Sequence, residues 1–411
     1  MSQSQQTNDQ TDTRPTFNPF SRSFMQDPYP AYEQLFERET LTPSAFGFWV
    51  AARSEHVNLI LRDRRFGHTY AEGMIERHGE EIFRQPSARA VRQWILVMNP
   101  PDHTRVRGLL AGAFSPRALK EKVPQIEQVV DKLIDTFIGQ GRVELIKDFA
   151  YRLPALVICE MLGVPEEERA QFLEESRIPT RLIDVAPLTP KERRKVDADI
   201  EYLTAYFERL CELRRRAPRN DLTTLLVQAE DAEGRLTSEE LTANMILLFG
   251  AGQETTAHMI GNALVALHRN PDQLELLKKT PSLMANAVEE LLRYDSSVQV
   301  AVRHVLEEIE VGGVRLGKGE RVMTLLGAAN RDPAVYDNPG KLDITRQGIK
   351  PMSFGAGIHF CLGAQLARLE IAAALQRLLH RLPGLRLEGL DQLEYRKSLT
   401  VRGLEQLWAS W

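Results

Sequence analysis

Apolar residues recur at three- and four-residue spacings, with charged residues opposite them, through 119–139, 146–163, 190–217 and 271–295. That period predicts amphipathic helices. Strand-like segments are short. They are Phe46–Ala51, then Ile309–Val311 and Val314–Leu316 joined by Gly312-Gly313, then Arg321–Leu325 after Gly317-Lys318-Gly319. A Gly-Gly pair between two short apolar runs predicts a hairpin. The expected architecture is mostly α with a small β region.

One helical run is much longer than the others. Thr237 and Glu240 stand at capping-box spacing, and the pattern continues from Ser238 to Arg269, where Asn270-Pro271 stops it. At 1.5 Å per residue this helix is roughly 48 Å long. Met245–Ala251 is apolar on every side, so its middle is expected to be buried. Gly252-Gln253-Glu254-Thr255-Thr256 then introduces polar groups at that centre. A glycine and a buried carboxylate both cost stability in such a place, so a functional break in a core helix is expected.

Composition narrows the choice of partner and compartment. The 411 residues carry a formal charge of −4, with 43% hydrophobic and 26% charged residues. That balance gives no electrostatic reason to expect nucleic acid or an anionic membrane. Cys159, Cys211 and Cys361 are odd in number and far apart, which points to neither a disulfide framework nor a structural zinc site. Residues 1–16 are polar and read as a disordered lead-in to a domain over 17–411. No apolar stretch reaches the roughly 18 residues of a membrane span. The expected location is the cytoplasm, without a membrane anchor.

The segment Phe354-Gly355-Ala356-Gly357-Ile358-His359-Phe360-Cys361-Leu362-Gly363 precedes an amphipathic stretch, Ala364–Arg381. Two glycines permit a tight loop, and a cysteine at a helix start is expected to have a lowered pKa and to ligate a soft metal as thiolate. Gly363 leaves room for a flat macrocycle, and Phe354 can pack beneath it. These spacings resemble the haem-binding signature of the cytochrome P-450 family. Ala251-Gly252-Gln253-Glu254-Thr255-Thr256 is similar to that family's acid–alcohol motif. In it, a threonine bonded back to the carbonyl of Ala251 helps open a gap in the helix. Glu290-Leu291-Leu292-Arg293 resembles the family's structural Glu/Arg pair. The third member of that pair's network is left open between Lys341, Arg331 and Arg346, because Pro339-Gly340-Lys341-Leu342 departs from the family's pattern. Asn99-Pro100-Pro101-Asp102-His103-Thr104-Arg105-Val106-Arg107 resembles the haem-holding helix, with Asn99 where Asp is usual. His103 and Arg107 share a helix face and can hold a propionate.

The resemblance runs from about residue 28 to 405 and implies a triangular fold with the long helix over the haem. It implies haem b held by Cys361, with Arg303 and His359 completing the propionate clamp. Glu254 is then expected to relay protons inward and Thr255 to stabilise reduced dioxygen. The implied reaction is monooxygenation, by hydroxylation or epoxidation, of a lipophilic substrate, in bacterial secondary metabolism of polyketide or terpenoid type. Electrons are expected from a ferredoxin or flavodoxin and an NAD(P)H-dependent reductase. They would dock on the cysteine side, near Arg105, Arg117, Lys120 and Lys350. Family position suggests substrate contacts in 66–98 including Trp94, in 178–185, and at Leu247, Leu248, Ala251, Val298, Val300, Ala301, Leu399 and Thr400. Two rival readings are a peroxide-driven peroxygenase and a non-catalytic haem sensor or carrier. Retention of Glu254 and Thr255 disfavours both.

Overall fold

The computed structural model describes residues 17–38, 40–175, 182, 188–231 and 236–411. The lead-in 1–16 and most of 178–185 lie outside them. Helices dominate, as the periodicity predicts, and those that frame the site are α1 (Tyr29–Phe36), α2 (Ser54–Arg62), α3 (Asp102–Leu110), α4 (Val123–Asp135), α5 (Arg152–Leu162), α6 (Pro190–Arg216), α7 (Ser238–Arg269), α8 (Met284–Tyr294) and α9 (Ala364–Arg381). No helix among the described residues is long and apolar enough to cross a membrane.

Helix α7 begins at the predicted capping box: the Thr237 hydroxyl accepts from the Glu240 amide while the Glu240 carboxylate accepts from the Thr237 amide. It ends at Asn270, before Pro271. Nearly every residue from Glu240 to Leu267 is buried, and α4, α5, α6, α8 and α9 share one core with it. The helix runs unbroken through Gly252–Thr256, contrary to the expected interruption. The feature there is a side-chain bond rather than a gap in the hydrogen-bond ladder.

Two other expectations need correction. The 271–295 run is two helices, Pro271–Lys279 and α8, parted at Thr280-Pro281. Proline lacks an N–H and restricts the residue before it, so the break was available in the sequence. The 146–163 run opens with a π-helical turn, Ile146–Ala150, before α5, leaving Tyr151 between them.

The strands are β1 (Thr42–Pro43), β2 (Trp49–Ala51), β3 (Phe66–Gly67), β4 (Arg142–Glu144), β5 (Val300–Val305), β6 (Ile309–Val311), β7 (Val314–Leu316), β8 (Arg321–Leu325), β9 (Arg386–Leu387) and β10 (Trp408–Ser410). One sheet has the order β1-β2-β8-β5-β3, parallel only between β2 and β8. A second has the order β4-β10-β9. The β6–β7 hairpin turns at Gly312 and Gly313, both with positive φ, as a two-residue Gly-Gly connection requires. In β5, alternation places Ala301 and Arg303 on one face and Val300 and Val302 on the other. The Val300 face packs against Phe24, Tyr32 and Leu399.

One carboxyl in the core carries a measurable liability. Glu370 of α9 is buried, its Oε2 has no hydrogen-bond partner, and burial pushes its carboxyl up to about 8. An unfolded Glu titrates near its ordinary value, about 4.3. Between those values the folded chain keeps a proton that the unfolded chain has lost, so stability falls as pH rises through this window. At about 1.4 kcal/mol per pH unit, the loss by pH 7 is roughly 4 kcal/mol. Glu370→Gln is therefore expected to raise the melting temperature at pH 7–8 and to leave it unchanged near pH 4.5. Parallel pH profiles for the two proteins would refute the assignment.

Candidate active site

The cysteine loop is shaped by two glycines. Gly355 and Gly357 have φ of +68° and +69°, and a Cβ on Gly357 would lie 2.2 Å from the Leu61 carbonyl oxygen of α2. The loop can therefore lie against α2 only with glycine at 357. It is closed by the Cys361 amide donating to the Phe354 carbonyl at 2.9 Å and by Arg107 Nη2 donating to the Phe360 carbonyl at 2.6 Å. Arg368 lies over the Phe354 ring, 4.4 Å from its centroid.

Cys361 stands two residues ahead of Gly363, the N-cap of α9. The thiol is shifted upward, not downward as expected. Desolvation outweighs the Gly363 backbone N–H and the nearby Arg107 and Arg368 charges, which act the other way. A helix start alone does not make this thiol a thiolate; the charge of a coordinated metal ion would. Cys361 is nonetheless exposed, unlike buried Cys159 and Cys211. Ile358 and Phe360 in the same loop are exposed too. A Cβ built on Gly363 meets no atom within 4 Å, and neither does one built on Gly252 of α7.

On α7 the only half-exposed residues between Glu240 and Leu267 are Leu248, Ala251, Gly252, Gln253 and Thr255. Residues 248, 251, 252 and 255 share a helix face, which is therefore the accessible face of this otherwise buried stretch. The Thr255 hydroxyl donates to the Ala251 carbonyl at 2.8 Å, the back-bond the sequence predicts. Glu254 points elsewhere: it is buried and ion-paired with Arg396.

Beside the cysteine loop lies a buried basic cluster. The His359 ring centroid is 4.3 Å from that of His103 and 4.8 Å from that of His68. The Nε2 atoms of all three are buried without a hydrogen-bond partner. Burial lowers the His68 and His103 pKa values, and burial with the Arg303 charge pushes His359 down to about 3. Burial also takes Arg303 down to about 10. Among the described residues, neither Arg303 nor Arg107 has a carboxylate partner. One buried and one half-buried guanidinium and three orphaned imidazole nitrogens together cost stability unless an anion joins them. The donor set fits a group with carboxylates beside a flat ring, so His103, Arg107, Arg303 and His359 are brought together as expected.

His68 was missed from sequence. Strand β3 pairs Gly67 with His304 of β5, which sets His68 near Arg303. Asn99, a departure from the resembled motif, accepts from the His68 amide at 2.9 Å and donates to its carbonyl at 2.6 Å. The pairing is long-range, and no local pattern announces it.

The Glu290–Arg293 pair is fully buried and bidentate, with both N–O distances 2.7 Å. Arg346 is the third member: its Nε is 3.3 Å from Glu290 Oε1, where the Asp343 amide also donates at 3.0 Å. Lys341 contributes only its carbonyl, to Arg293 and Arg346, and Arg331 binds the Tyr294 carbonyl instead.

The other expected contacts divide. Leu248, Ala251, Val298, Ala301 and Thr400 are half-exposed, and Ala301 shares the Arg303 face. Val300 and Leu399 are committed to the core with Phe24 and Tyr32, and Trp94 and Leu247 are buried in the main core. Arg105 is also a correction, because it pairs with Glu240 and Asp102 and so joins α3 to α7. Arg117, Lys120 and Lys350 remain exposed.

The family model described as Cytochrome P-450 matches residues 65–280 and 273–384. The putative cytochrome P-450 133B2 of Xylella fastidiosa (strain 9a5c) is 39% identical, over 95% of this chain and 97% of its own. The polyketide biosynthesis cytochrome P-450 PksS of Bacillus subtilis (strain 168) is 33% identical, over 95% and 97%. Among solved structures, the P-450 BioI in complex with acyl carrier protein bearing hexadec-9Z-enoic acid superposes with a TM-score of 0.87. It is 36% identical and covers 95% of this chain and 100% of that one.

Proposed function

The chain belongs to the cytochrome P-450 family, and on that premise we propose a bacterial, cytoplasmic monooxygenase that oxidises a lipophilic chain or polyketide-like molecule in secondary metabolism. The observation that carries the reading is the unpaired basic cluster beside the Cys361 loop. It suits haem b, with the Cys361 sulfur toward the iron and His103, Arg107, Arg303, His359 and His68 toward the propionates. When bound, the haem supplies the oxygen activation, and a thiolate ligand favours O–O cleavage.

The chain's own residues orient and deliver. The face of Leu248, Ala251 and Thr255, with Ala301, Val298 and Thr400, offers mainly apolar contacts to a substrate. Thr255 holds a hydroxyl on the accessible face of α7, while Glu254 behind it can pass protons inward. Electrons are taken to come from a ferredoxin or flavodoxin and an NAD(P)H-dependent reductase. Docking on the cysteine side would use Arg117, Lys120 and Lys350.

Two relatives bear on substrate size, one named for polyketide biosynthesis and one seen with a carrier-bound sixteen-carbon acyl chain. Hexadec-9Z-enoic acid, free and carrier-bound, is the first probe. It is expected to shift the haem absorption band of the purified holoenzyme and then to yield a product one oxygen heavier with NAD(P)H, reductase and ferredoxin. Product with hydrogen peroxide but none with the electron-transfer proteins would favour a peroxygenase. A band shift with no product under either condition would favour a sensor or carrier.

A further inference from the structure

Behind the acid of α7, four polar groups from three distant segments meet. Glu254 and His258 stand one turn apart on α7, Tyr151 comes from the junction before α5, and Arg396 comes from a C-terminal turn bridged at Tyr395 and Leu404. Arg396 Nη1 bonds Glu254 Oε1, lies 2.8 Å from the Tyr151 oxygen and 3.1 Å from His258 Nε2. The Tyr151 hydroxyl is 2.9 Å from His258 Nε2 and 3.4 Å from Glu254 Oε1. His258 is fully buried, and its ring fills the space a side chain on Gly403 would need, since a Cβ there would fall 1.9 Å from its Nδ1. The ring is thereby fixed.

A count of protons shows what this packing does. Arg396 Nη1 has two N–H groups and three acceptors around it. Tyr151 has one O–H and two acceptors. Burial pushes His258 down to about 4 and raises Tyr151, so at neutral pH the imidazole is uncharged and the phenol keeps its proton. The remaining charged group acting on both is the exposed Glu405. The cluster thus has two arrangements of similar geometry. In one the Tyr151 O–H points to His258 while Arg396 holds Glu254; in the other it points to Glu254. A rotation about one C–O bond converts them.

We propose that Tyr151, His258 and Arg396 form the outer segment of the proton path to Glu254, with Tyr151 handing its proton to Glu254 Oε1 and the other two positioning both groups. Water at the one-third-exposed edge of Arg396 returns a proton to the Tyr151 oxygen. The proposal rests on the monooxygenase reading, whose balance is RH + O2 + 2e− + 2H+ giving ROH + H2O. Two protons must arrive per turnover. The peroxide-driven route, RH + H2O2 giving ROH + H2O, brings its own electrons and protons and needs none from this path.

The test compares the two oxidants on holoenzyme with hexadec-9Z-enoic acid as substrate, for wild type, Tyr151→Phe, Arg396→Gln and Arg396→Lys. Haem content and melting temperature are checked for each. Positioned proton transfer contributes about 10²–10⁴-fold, and water can replace part of it. Tyr151→Phe and Arg396→Gln are therefore expected to lose about 10- to 100-fold with dioxygen, ferredoxin, reductase and NADPH. The dioxygen rate should fall against the peroxide rate, and Arg396→Lys should recover much of the loss. An unchanged dioxygen rate, or an equal loss with both oxidants, overturns the proposal. Wild type that makes product with peroxide alone, or that shows the substrate-induced band shift but makes no product with either oxidant, overturns the monooxygenase reading itself, and the proposal falls with it.

Discussion

Arg293→Ala is expected to lower stability by about 3–5 kcal/mol, the usual loss when one partner of a buried ion pair is removed. The magnitude follows from what would be left behind. Glu290 would stay buried with the Asp343 amide and the longer Arg346 contact as its remaining partners. The carbonyls of Asn330, Pro339 and Lys341, which now accept from Arg293 at 2.8–3.2 Å, would lose that donor. An alanine cavity without hydrogen-bond donors cannot compensate.

The effect should also reach the cysteine loop. Asn330 donates to the Ser353 hydroxyl at 3.0 Å and accepts from the Met352 amide at 2.6 Å, and Ser353 donates to the Leu292 carbonyl at 2.7 Å. Helix α8 is thus tied to the segment that enters the loop at Phe354. Thermal unfolding should show a drop of several degrees together with lower haem content. A melting temperature within a degree of wild type would contradict the structural role. Arg293→Lys, which keeps the charge but not the fork, should fall between the two.

Local features of the site were legible because local physics sets them. The capping box fixes the start of α7, the Thr255 back-bond spans four residues, and positive φ at Gly355 and Gly357 shapes the cysteine loop. Features set by long-range pairing were not. Arg346 rather than Lys341 completes the Glu290 network because the chain folds back over 56 residues to put it there. His68 joins the basic cluster through the β3–β5 pairing and the Asn99 clamp. Arg396 reaches Glu254 across 142 residues. The division of 271–295 had a local signal, Pro281, that the three- and four-residue period concealed.

The expected thiolate is the most informative disagreement. A position near a helix start lowers a cysteine pKa where water or cationic groups surround the sulfur. At Cys361 desolvation wins over Gly363, Arg107 and Arg368. For a cysteine that binds a metal, affinity for the metal rather than intrinsic acidity sets the protonation state.

Replacing Cys361 with serine should separate holding the haem from activating it. The basic cluster lies on other residues, so the variant is expected to fold and keep most of its haem. Serine oxygen is a hard, far less acidic group and a poor substitute for a soft thiolate. Losing an outer-shell partner of a metal ligand costs roughly 10–100-fold, so losing the ligand itself should cost more than that in product formation. The most direct measurement is the absorption spectrum of the reduced, carbon monoxide-bound holoprotein, wild type against Cys361→Ser. The account predicts the long-wavelength band of a thiolate-ligated haem in wild type and its loss in the variant, with the haem still bound. The same band in both proteins, or its absence from freshly purified wild type, would contradict it.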